Sequence, residues 1–166
     1  MKVLVLSDTH VRRLEDIPAG ILKAVPQVDL VVHCGDFVRP EVLEGLRRLA
    51  RRFVGVYGNT DPREVRQELP AQKVLELDGK KLAITHPAYG GPPFGLEEEL
   101  VREFPGVDGI IFGHTHEPQK AWQGQVLLFN PGQAYNSFHA PASYGLLSLD
   151  SGGLEAEIVF LGEGEK

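Results

Sequence analysis

The residues that could do chemistry in this sequence are histidines, aspartates and an asparagine in short motifs. Asp8 and His10 are separated by one residue, and His114 and His116 have the same spacing. On extended backbone two such side chains point to one side, with Cα atoms about 6.5 Å apart, so each pair can converge on one ion or on two adjacent ions. Three further candidates stand in separate motifs, and these are Asp36, Asn59 and His86. Oxygen and imidazole ligands without a thiolate are typical of sites for divalent metals such as Mn, Fe or Zn.

The elements that must position these motifs are five apolar segments, each predicted to be a β-strand. The segments VLVLS, LVVHC, FVGVY, LAIT and GIIF run directly into the five motifs. Sheets of α/β proteins place their ligands at the carboxyl ends of strands, and a glycine precedes three of the motifs, where the chain has to turn sharply. Seven candidate ligands exceed the complement of one four-coordinate zinc ion, whereas two metals roughly 3.5–4 Å apart, with a bridging carboxylate, would use them. The sequence therefore predicts a metal site at the C-terminal ends of these strands.

The order of the predicted elements indicates a layered α/β fold. Helices are predicted over PAGILKAV, residues 40 to 52 and GLEEELVREF. Hairpins are predicted to turn at Asp78-Gly79 and near Gln123-Gly124, and YGLLSLDSGGLEAEIVFL is predicted to form a closing hairpin. Parallel strands first and antiparallel hairpins later favour this fold over a pure doubly wound sheet. We expect a single domain over residues 1–166, with a frayed tail at 162–166.

Composition and charge exclude several classes of protein. The 166 residues carry a formal net charge of −6 with a pI near 5.5, which argues against a protein that grips long nucleic acid through a basic face. The single cysteine, Cys34, excludes an internal disulfide and a multi-cysteine zinc site. The opening MKVLVLSD has too short an apolar run for a signal peptide or a membrane span, so we expect no membrane association and a cytoplasmic location.

Two histidines outside the motifs have simpler interpretations. His33 lies inside a predicted strand and is interpreted as a packed or hydrogen-bonded core histidine. His139 lies in the loop segment NSFHAPAS, where contact with substrate is the alternative to an ordinary surface position. A lone aspartate or asparagine after a strand is usually a turn residue, but turn chemistry does not require four histidines and two aspartates at five strand ends.

The ordered motifs D-x-H, G-D, G-N-x-D, a lone histidine and G-H-x-H resemble the calcineurin-like metallophosphoesterase superfamily. The short chain, the GNTD form of the third motif and NPG at residues 130–132 resemble its small bacterial and archaeal phosphodiesterase branch, which is related to the retromer scaffold subunit of eukaryotes. The resemblance spans residues 2 to about 150. It implies a two-layer β-sandwich flanked by helices, with a dinuclear metal centre.

The resemblance assigns the seven candidate ligands to two metals. One metal would be held by Asp8, His10 and His116. The other would be held by Asn59, His86 and His114. Asp36 would bridge the two ions, and Asn59 and Thr60 would lie near the phosphoryl group. Manganese is the frequent activating ion of the family, and Ni, Fe and Zn also occur.

The chemistry of such a centre agrees with phosphoester hydrolysis. Two divalent ions bring four positive charges, and Asp8 and Asp36 return only two, so a bridging hydroxide still leaves the centre net positive. A positive centre suits an anionic phosphoryl group and can lower the pKa of the water that attacks it. The expected function is a metal-dependent phosphodiesterase that acts on a small phosphodiester substrate, with its catalytic side chains unassigned.

The sequence departs from the family at two places. Thr60 stands where many members carry the histidine of G-N-H-[DE], and its hydroxyl is too weak an acid to replace an imidazolium. Asp61 then has no histidine to orient, and we interpret it as a structural turn residue. The second histidine that often follows the metal-binding one is also lacking, because Pro87, Ala88 and Tyr89 stand there. Both departures predict slow hydrolysis of diesters with poor leaving groups.

The rival hypothesis is a binding scaffold with the same fold, in which the metal-ligand residues are inherited from an enzyme or serve a structural role. In the retromer scaffold subunit the ligand set is eroded, whereas all seven positions here hold competent residues, and this favours an enzyme. A nuclease for long DNA or RNA is disfavoured by the net charge and by the lack of a basic stripe with interleaved aromatic residues. The physiological substrate and the oligomeric state stay open, with a homo-oligomer among the outcomes.

Overall fold

The computed structural model describes residues 1–88, 95–150 and 153–162. Within them the strands are β1 Lys2–Leu6, β2 Leu30–His33, β3 Phe53–Gly55, β4 Gln72–Leu77, β5 Lys80–Thr85, β6 Gly109–Phe112, β7 Gln119–Gln123, β8 Val126–Asn130, β9 Ser143–Asp150 and β10 Gly153–Phe160. The helices are α1 Ala19–Ala24, α2 Pro40–Leu49, α3 Arg63–Glu68 and α4 Leu96–Glu103. The expectations for Tyr89, for the turn of the closing hairpin at 151–152 and for the tail at 163–166 lie outside the described residues.

Two five-stranded sheets bring the ends of parallel strands to one edge. The first sheet has the order β10-β9-β1-β2-β3, and the second has the order β4-β5-β6-β8-β7. Strands β1, β2 and β3 run parallel and end at one level, because Leu6 pairs with His33 and His33 pairs with Gly55. Strands β5, β6 and β8 are parallel in the second sheet. The His114 N–H donates to Asp8 Oδ2 at 3.0 Å, so the strand ends of both sheets meet at the same edge.

The core explains why the strands are apolar without interruption. Val3 and Val5 of β1 pack between the two sheets, whereas Leu4 and Leu6 pack against α1 and α2. The outer face of the second sheet is covered by α4 in the same way, through Leu100. A strand covered on both faces needs apolar residues at successive positions rather than at alternate ones. The predicted two-layer β-sandwich flanked by helices is confirmed.

Most predicted elements are present, and the differences lie at their ends and in one helix that was not predicted. The hairpin between β4 and β5 turns at Asp78 and Gly79, both with positive φ, and β7 and β8 turn at Gly124. Helix α2 ends at Leu49 rather than at residue 52, and β3 ends at Gly55. Helix α3 was not predicted, because its six residues bury one side chain and give no helical periodicity. No helix within the described ranges is long and apolar enough to cross a membrane.

Candidate metal centre

The structure brings all seven sequence-predicted ligands together at the shared edge of the two sheets. Asp8 Oδ1 lies 3.6 Å from His10 Nε2 and 3.3 Å from His116 Nε2. Asp36 Oδ2 lies 3.4 Å from the Nε2 atoms of both His10 and His86. These contacts join the first two strands of one sheet to the second sheet.

The asparagine and the remaining histidine complete the cluster. Asn59 Oδ1 lies 3.0 Å from His86 Nε2 and 3.0 Å from His114 Nδ1. The ligand atoms form two groups in which every atom lies within 4.8 Å of the others. The first group is Asp8, His10 and His116, and the second is Asp8, Asp36 and His86.

The backbone that presents these side chains is left-handed, so the expectation of extended backbone in the two spaced pairs is wrong. The φ angles of Asp8 and His10 are 50° and 45°, and those of His114 and His116 are 79° and 61°. The strands end at Leu6 and Phe112, and the chain turns at once. Aspartate and histidine are among the residues that tolerate this region best. The side chains still converge, but they are oriented by the backbone of a turn and not by extended strand backbone.

Two glycines allow the motifs to approach each other closely. A Cβ on Gly113 would collide with the hydroxyl of Ser7, and a Cβ on Gly58 would collide with the carboxylate of Asp36. Larger residues at either position would push a loop that carries candidate ligands away from its neighbour. These glycines are therefore required by packing between loops.

Each carboxylate uses one oxygen for the protein and turns the other toward histidines. Asp8 Oδ2 accepts hydrogen bonds from Ser7 Oγ at 2.6 Å and from the His114 N–H at 3.0 Å, while Oδ1 faces the imidazoles. Asp36 Oδ1 accepts from the Thr60 N–H at 2.9 Å, while Oδ2 lies between His10 and His86. The free oxygens converge, as ligands of a cation do.

Two imidazoles are held by carbonyl oxygens at their far side. His86 Nδ1–H donates to the Cys34 carbonyl at 2.7 Å, and His116 Nδ1–H donates to Gln133 Oε1 at 3.1 Å. Because carbonyl oxygens only accept, these bonds place a proton on Nδ1, so Nε2 is the atom of each ring that would bind a cation. Such partners orient metal-binding histidines and raise their basicity.

The charges of the cluster favour ionised carboxylates. Burial acts to raise the pKa of Asp8, but the imidazoles of His10 and His86 and the Ser7 hydroxyl outweigh it, and the pKa lies below its usual range. Burial also opposes ionisation of Asp36, and His86 with the Thr60 N–H lowers that pKa as well. Burial lowers the pKa of His114, and the field of His86 adds to the effect. Burial acts to lower the pKa of His86, but Asp36, Asp8 and the Cys34 carbonyl outweigh it and raise that pKa. The site thus holds negative oxygens that attract positive charge into one small volume.

The residues fit a divalent metal. Asp8 Oδ1 and His10 Nε2 are buried side-chain atoms without a hydrogen-bond partner among the described residues. A buried polar atom without a partner costs about 1–3 kcal/mol, and a bound cation would remove that cost. Carboxylate, amide and imidazole donors suit Mn, Fe, Ni or Zn. Soft metal ions prefer sulfur ligands, and the cluster contains none.

Asp61 and His33 support the loops without joining the ligand cluster. Asp61 Oδ2 accepts from the N–H groups of Asp36 at 2.9 Å and Gly58 at 2.7 Å, and its Oδ1 accepts from Val38 at 2.9 Å. The interpretation of Asp61 as a structural residue is confirmed. His33 is fully buried, stacks on Phe37 at 3.7 Å and bonds to Thr9, so it is a core histidine. His139 is exposed.

Two residues at this edge were missed by sequence reasoning. Gln133 is buried and holds His116, and the Tyr135 ring packs edge-on against the rings of His10 and His116. Burial and the charge of Asp8 raise the pKa of the Tyr135 phenol. Both residues follow β8, a sixth apolar strand that runs into polar residues at Asn130, and this repeated pattern could have identified the segment.

A family model described as the calcineurin-like phosphoesterase superfamily domain matches residues 1–152. The chain belongs to this superfamily. The metallophosphoesterase resemblance drawn from the five motifs is confirmed.

Known proteins similar to this superfamily member include a metallophosphoesterase, a phosphodiesterase and Vps29. A probable metallophosphoesterase of Methanocaldococcus jannaschii is 36% identical over 80% of this chain and 67% of its own length. A phosphodiesterase of the same organism is 29% identical over 90% of this chain and 94% of its own. The crystal structure of Vps29 from Entamoeba histolytica complexed with Zn²⁺ superposes with a TM-score of 0.74, at 26% identity, over 96% of this chain and 99% of that one.

Proposed function

We propose that the chain, as one domain over residues 1–166, is a metal-dependent phosphodiesterase with two divalent ions. The observation that carries the proposal is the position of Asp36 Oδ2, 3.4 Å from His10 Nε2 and 3.4 Å from His86 Nε2. His10 belongs to the first group of ligand atoms and His86 to the second, so a carboxylate oxygen between their imidazoles can bridge two ions. Asp8 is common to both groups through its own carboxylate, and the resemblance assigns it to the first ion. The phosphodiesterase among the similar proteins supports the reaction type.

The ligands divide between the two ions as follows. The first ion would be held by Asp8, His10 and His116, and the second by Asn59, His86 and His114. Asp36 would serve both. Two bound divalent ions would lower the pKa of a shared water and neutralise charge on the phosphoryl oxygens. Manganese is the ion that we expect to support the hydrolysis best, with Ni, Fe and Zn as alternatives.

The chain's own residues prepare the site for an anionic substrate. The Cys34 carbonyl and Gln133 Oε1 hold the protons of His86 and His116 on Nδ1, away from the centre. Asn59 contributes a neutral amide where a third carboxylate would reduce the positive charge. The Thr60 N–H donates to Asp36 Oδ1, and the Thr60 side chain is exposed. Position 60 has no imidazole to protonate the leaving group, so we expect the leaving oxygen to depart unassisted or to take a proton from solvent.

The test is reconstitution with single metals. The chelator-stripped protein is loaded with Mn, Fe, Ni, Zn or Mg, and hydrolysis of bis-p-nitrophenyl phosphate and p-nitrophenyl phosphate is measured. We expect metal-dependent activity that is higher on the diester, lost in His116→Ala and kept in the control Trp122→Ala, which changes a half-exposed ring of β7 outside the cluster. A protein that binds ions but hydrolyses neither compound with any metal would contradict the proposal and would favour the scaffold hypothesis.

A further inference from the structure

The loop at residues 134–141 joins the metal centre to an exposed aromatic ring. At its start, the Tyr135 ring lies 5.7 Å from the His10 ring and 6.1 Å from the His116 ring, edge-on to both. Phe138 follows three residues later, so its Cα lies within about 11 Å of the Tyr135 Cα. Its side chain is 99% exposed and meets the His139 ring edge-on at 5.4 Å.

Hydrogen bonds hold this loop in shape. The two N–H groups of Gln133 Nε2 are shared among three acceptors, the Tyr135 carbonyl at 3.0 Å, Ser137 Oγ at 2.9 Å and the Ala140 carbonyl at 3.2 Å. The Ser137 N–H also donates to the Ala140 carbonyl at 3.0 Å, and the Ala142 N–H donates to Asn136 Oδ1 at 2.9 Å. The same Gln133 side chain holds the metal-centre histidine His116. Phe138 therefore projects from a bonded loop that is tied to the centre.

The exposure of Phe138 differs from that of the other surface apolar residues. The remaining exposed large hydrophobic side chains of the described ranges are 39% to 58% exposed, and they are Leu49, Val74, Trp122 and Phe160. Each of them covers about half of its surface against the protein, whereas Phe138 covers almost none. A cavity of about 590 Å³ lies along the loop, with Leu161 as part of its wall. Phe160, at the end of β10, pairs with Ser143, at the start of β9. The start of β9 lies beside the carboxyl end of β1, because Gly145 pairs with Val5. The cavity is therefore at the same edge of the sheets as the metal centre.

Resting on the proposed phosphodiesterase function, we propose that Tyr135 and Phe138 form an aromatic subsite for the nucleoside of a small nucleoside phosphodiester. The phosphoryl group would lie at the metal centre against Tyr135, and the base would stack on Phe138. Every base has a π-face, so stacking recognises a nucleoside without selecting a particular base. The net charge of −6 favours a single nucleotide unit over a long polyanion. The loop is therefore assigned to substrate binding.

The test compares two diesters with the same leaving group. Thymidine 5′-p-nitrophenyl phosphate and methyl p-nitrophenyl phosphate both release p-nitrophenol, so the ratio of their kcat/KM values isolates the contribution of the nucleoside. We expect Phe138→Ala to lower this ratio at least about fivefold, mainly through KM, which is the low end of measured base-stacking contributions. Phe138→Trp should retain the ratio. Trp122→Ala is the matched control, because Trp122 is a half-exposed aromatic residue of β7 near the opposite end of the sheet.

Several outcomes would overturn the subsite. An unchanged ratio in Phe138→Ala, which includes an equal loss on both esters, would refute the subsite. Hydrolysis of the methyl ester would then still support the proposed function. Failure of both esters with every metal would refute the proposed function instead. The subsite is then tested by calorimetric titration with thymidine 5′-monophosphate, for which Phe138→Ala should raise Kd at least about fivefold. Equal Kd values would assign the ring to another occupant, such as a membrane or a protein.

Discussion

Replacing His33 with asparagine is expected to make the folded protein less sensitive to acid. The buried His33 Nδ1 accepts the Gly35 N–H at 3.2 Å, so its proton lies on Nε2, which donates to Thr9 Oγ1 at 2.6 Å. Burial lowers the pKa of His33 to about 3, because a charged ring there would lose its hydration and the bond from Gly35. Asparagine supplies an acceptor for Gly35 without a titrating proton.

The size of the effect follows from the two pKa values. The unfolded chain protonates this ring near pH 6.5, whereas the folded protein does so only near pH 3. Between these values the unfolded state binds more protons, so the free energy of unfolding falls as the pH falls, and above pH 6.5 the contribution is constant. Between pH 6.5 and pH 5 the free energy of unfolding falls by about 1.4 kcal/mol for each pH unit, because the unfolded state binds one more proton. Over these roughly 1.5 pH units the loss is about 2 kcal/mol.

The assay is urea unfolding at pH 7.5 and pH 5.0 in the presence of a chelator, followed by circular dichroism. The wild-type protein should lose about 2 kcal/mol more than His33→Asn between the two pH values. The matched control is His139→Asn, which makes the same change at an exposed position. Equal acid losses in wild type and His33→Asn would refute the view that a neutral buried imidazole joins the two loops.

Three further predictions concern the metal centre. Titration of the chelator-stripped protein should saturate at two divalent ions per chain, and saturation at one, without a weaker second site, would contradict the dinuclear proposal. Asp36→Asn should reduce kcat/KM more than His86→Ala with metal in excess, because Asp36 faces two groups of ligands; comparable losses would count against a bridging role. Rates across a series of aryl phosphodiesters should fall steeply as the leaving phenol becomes less acidic, because a positioned general acid, usually worth roughly 10²–10⁴-fold, is lacking at Thr60. A flat dependence with chemistry rate-limiting would reveal a proton donor elsewhere, and Thr60→His should flatten the slope if Asp61 can orient the ring.

The set of candidate ligands could be predicted from local pattern because the signal is local. Each apolar strand is followed at once by polar residues, and parallel strands that end at one level bring such residues to a common edge. Asp8, Asp36 and His114 are therefore neighbours in space although they are distant in sequence. The covered faces of both sheets follow from the same uninterrupted apolar runs.

The orientation of the ligands depended on tertiary contacts. Asp8 and His114 have left-handed backbone and are joined by a hydrogen bond between the two sheets, from the His114 N–H to Asp8 Oδ2. Local spacing favoured extended backbone, because a sequence pattern carries no information on a partner 106 residues away. The direction of each carboxylate and the tautomer of each imidazole are likewise set by groups from other loops.

The sequence by itself determined the kinds of ligand, their order and the strand ends that carry them, since these depend on side-chain chemistry and on burial along each strand. Only the tertiary structure decided that Gln133 holds His116, that Tyr135 packs against two histidines and that Phe138 is exposed on the same loop. These contacts arise where a loop after β8 folds back over the end of β1, with the Ala134 N–H donating to the Ser7 carbonyl at 3.0 Å. The path of such a loop is set by long-range hydrogen bonds, which leave no periodicity in the chain.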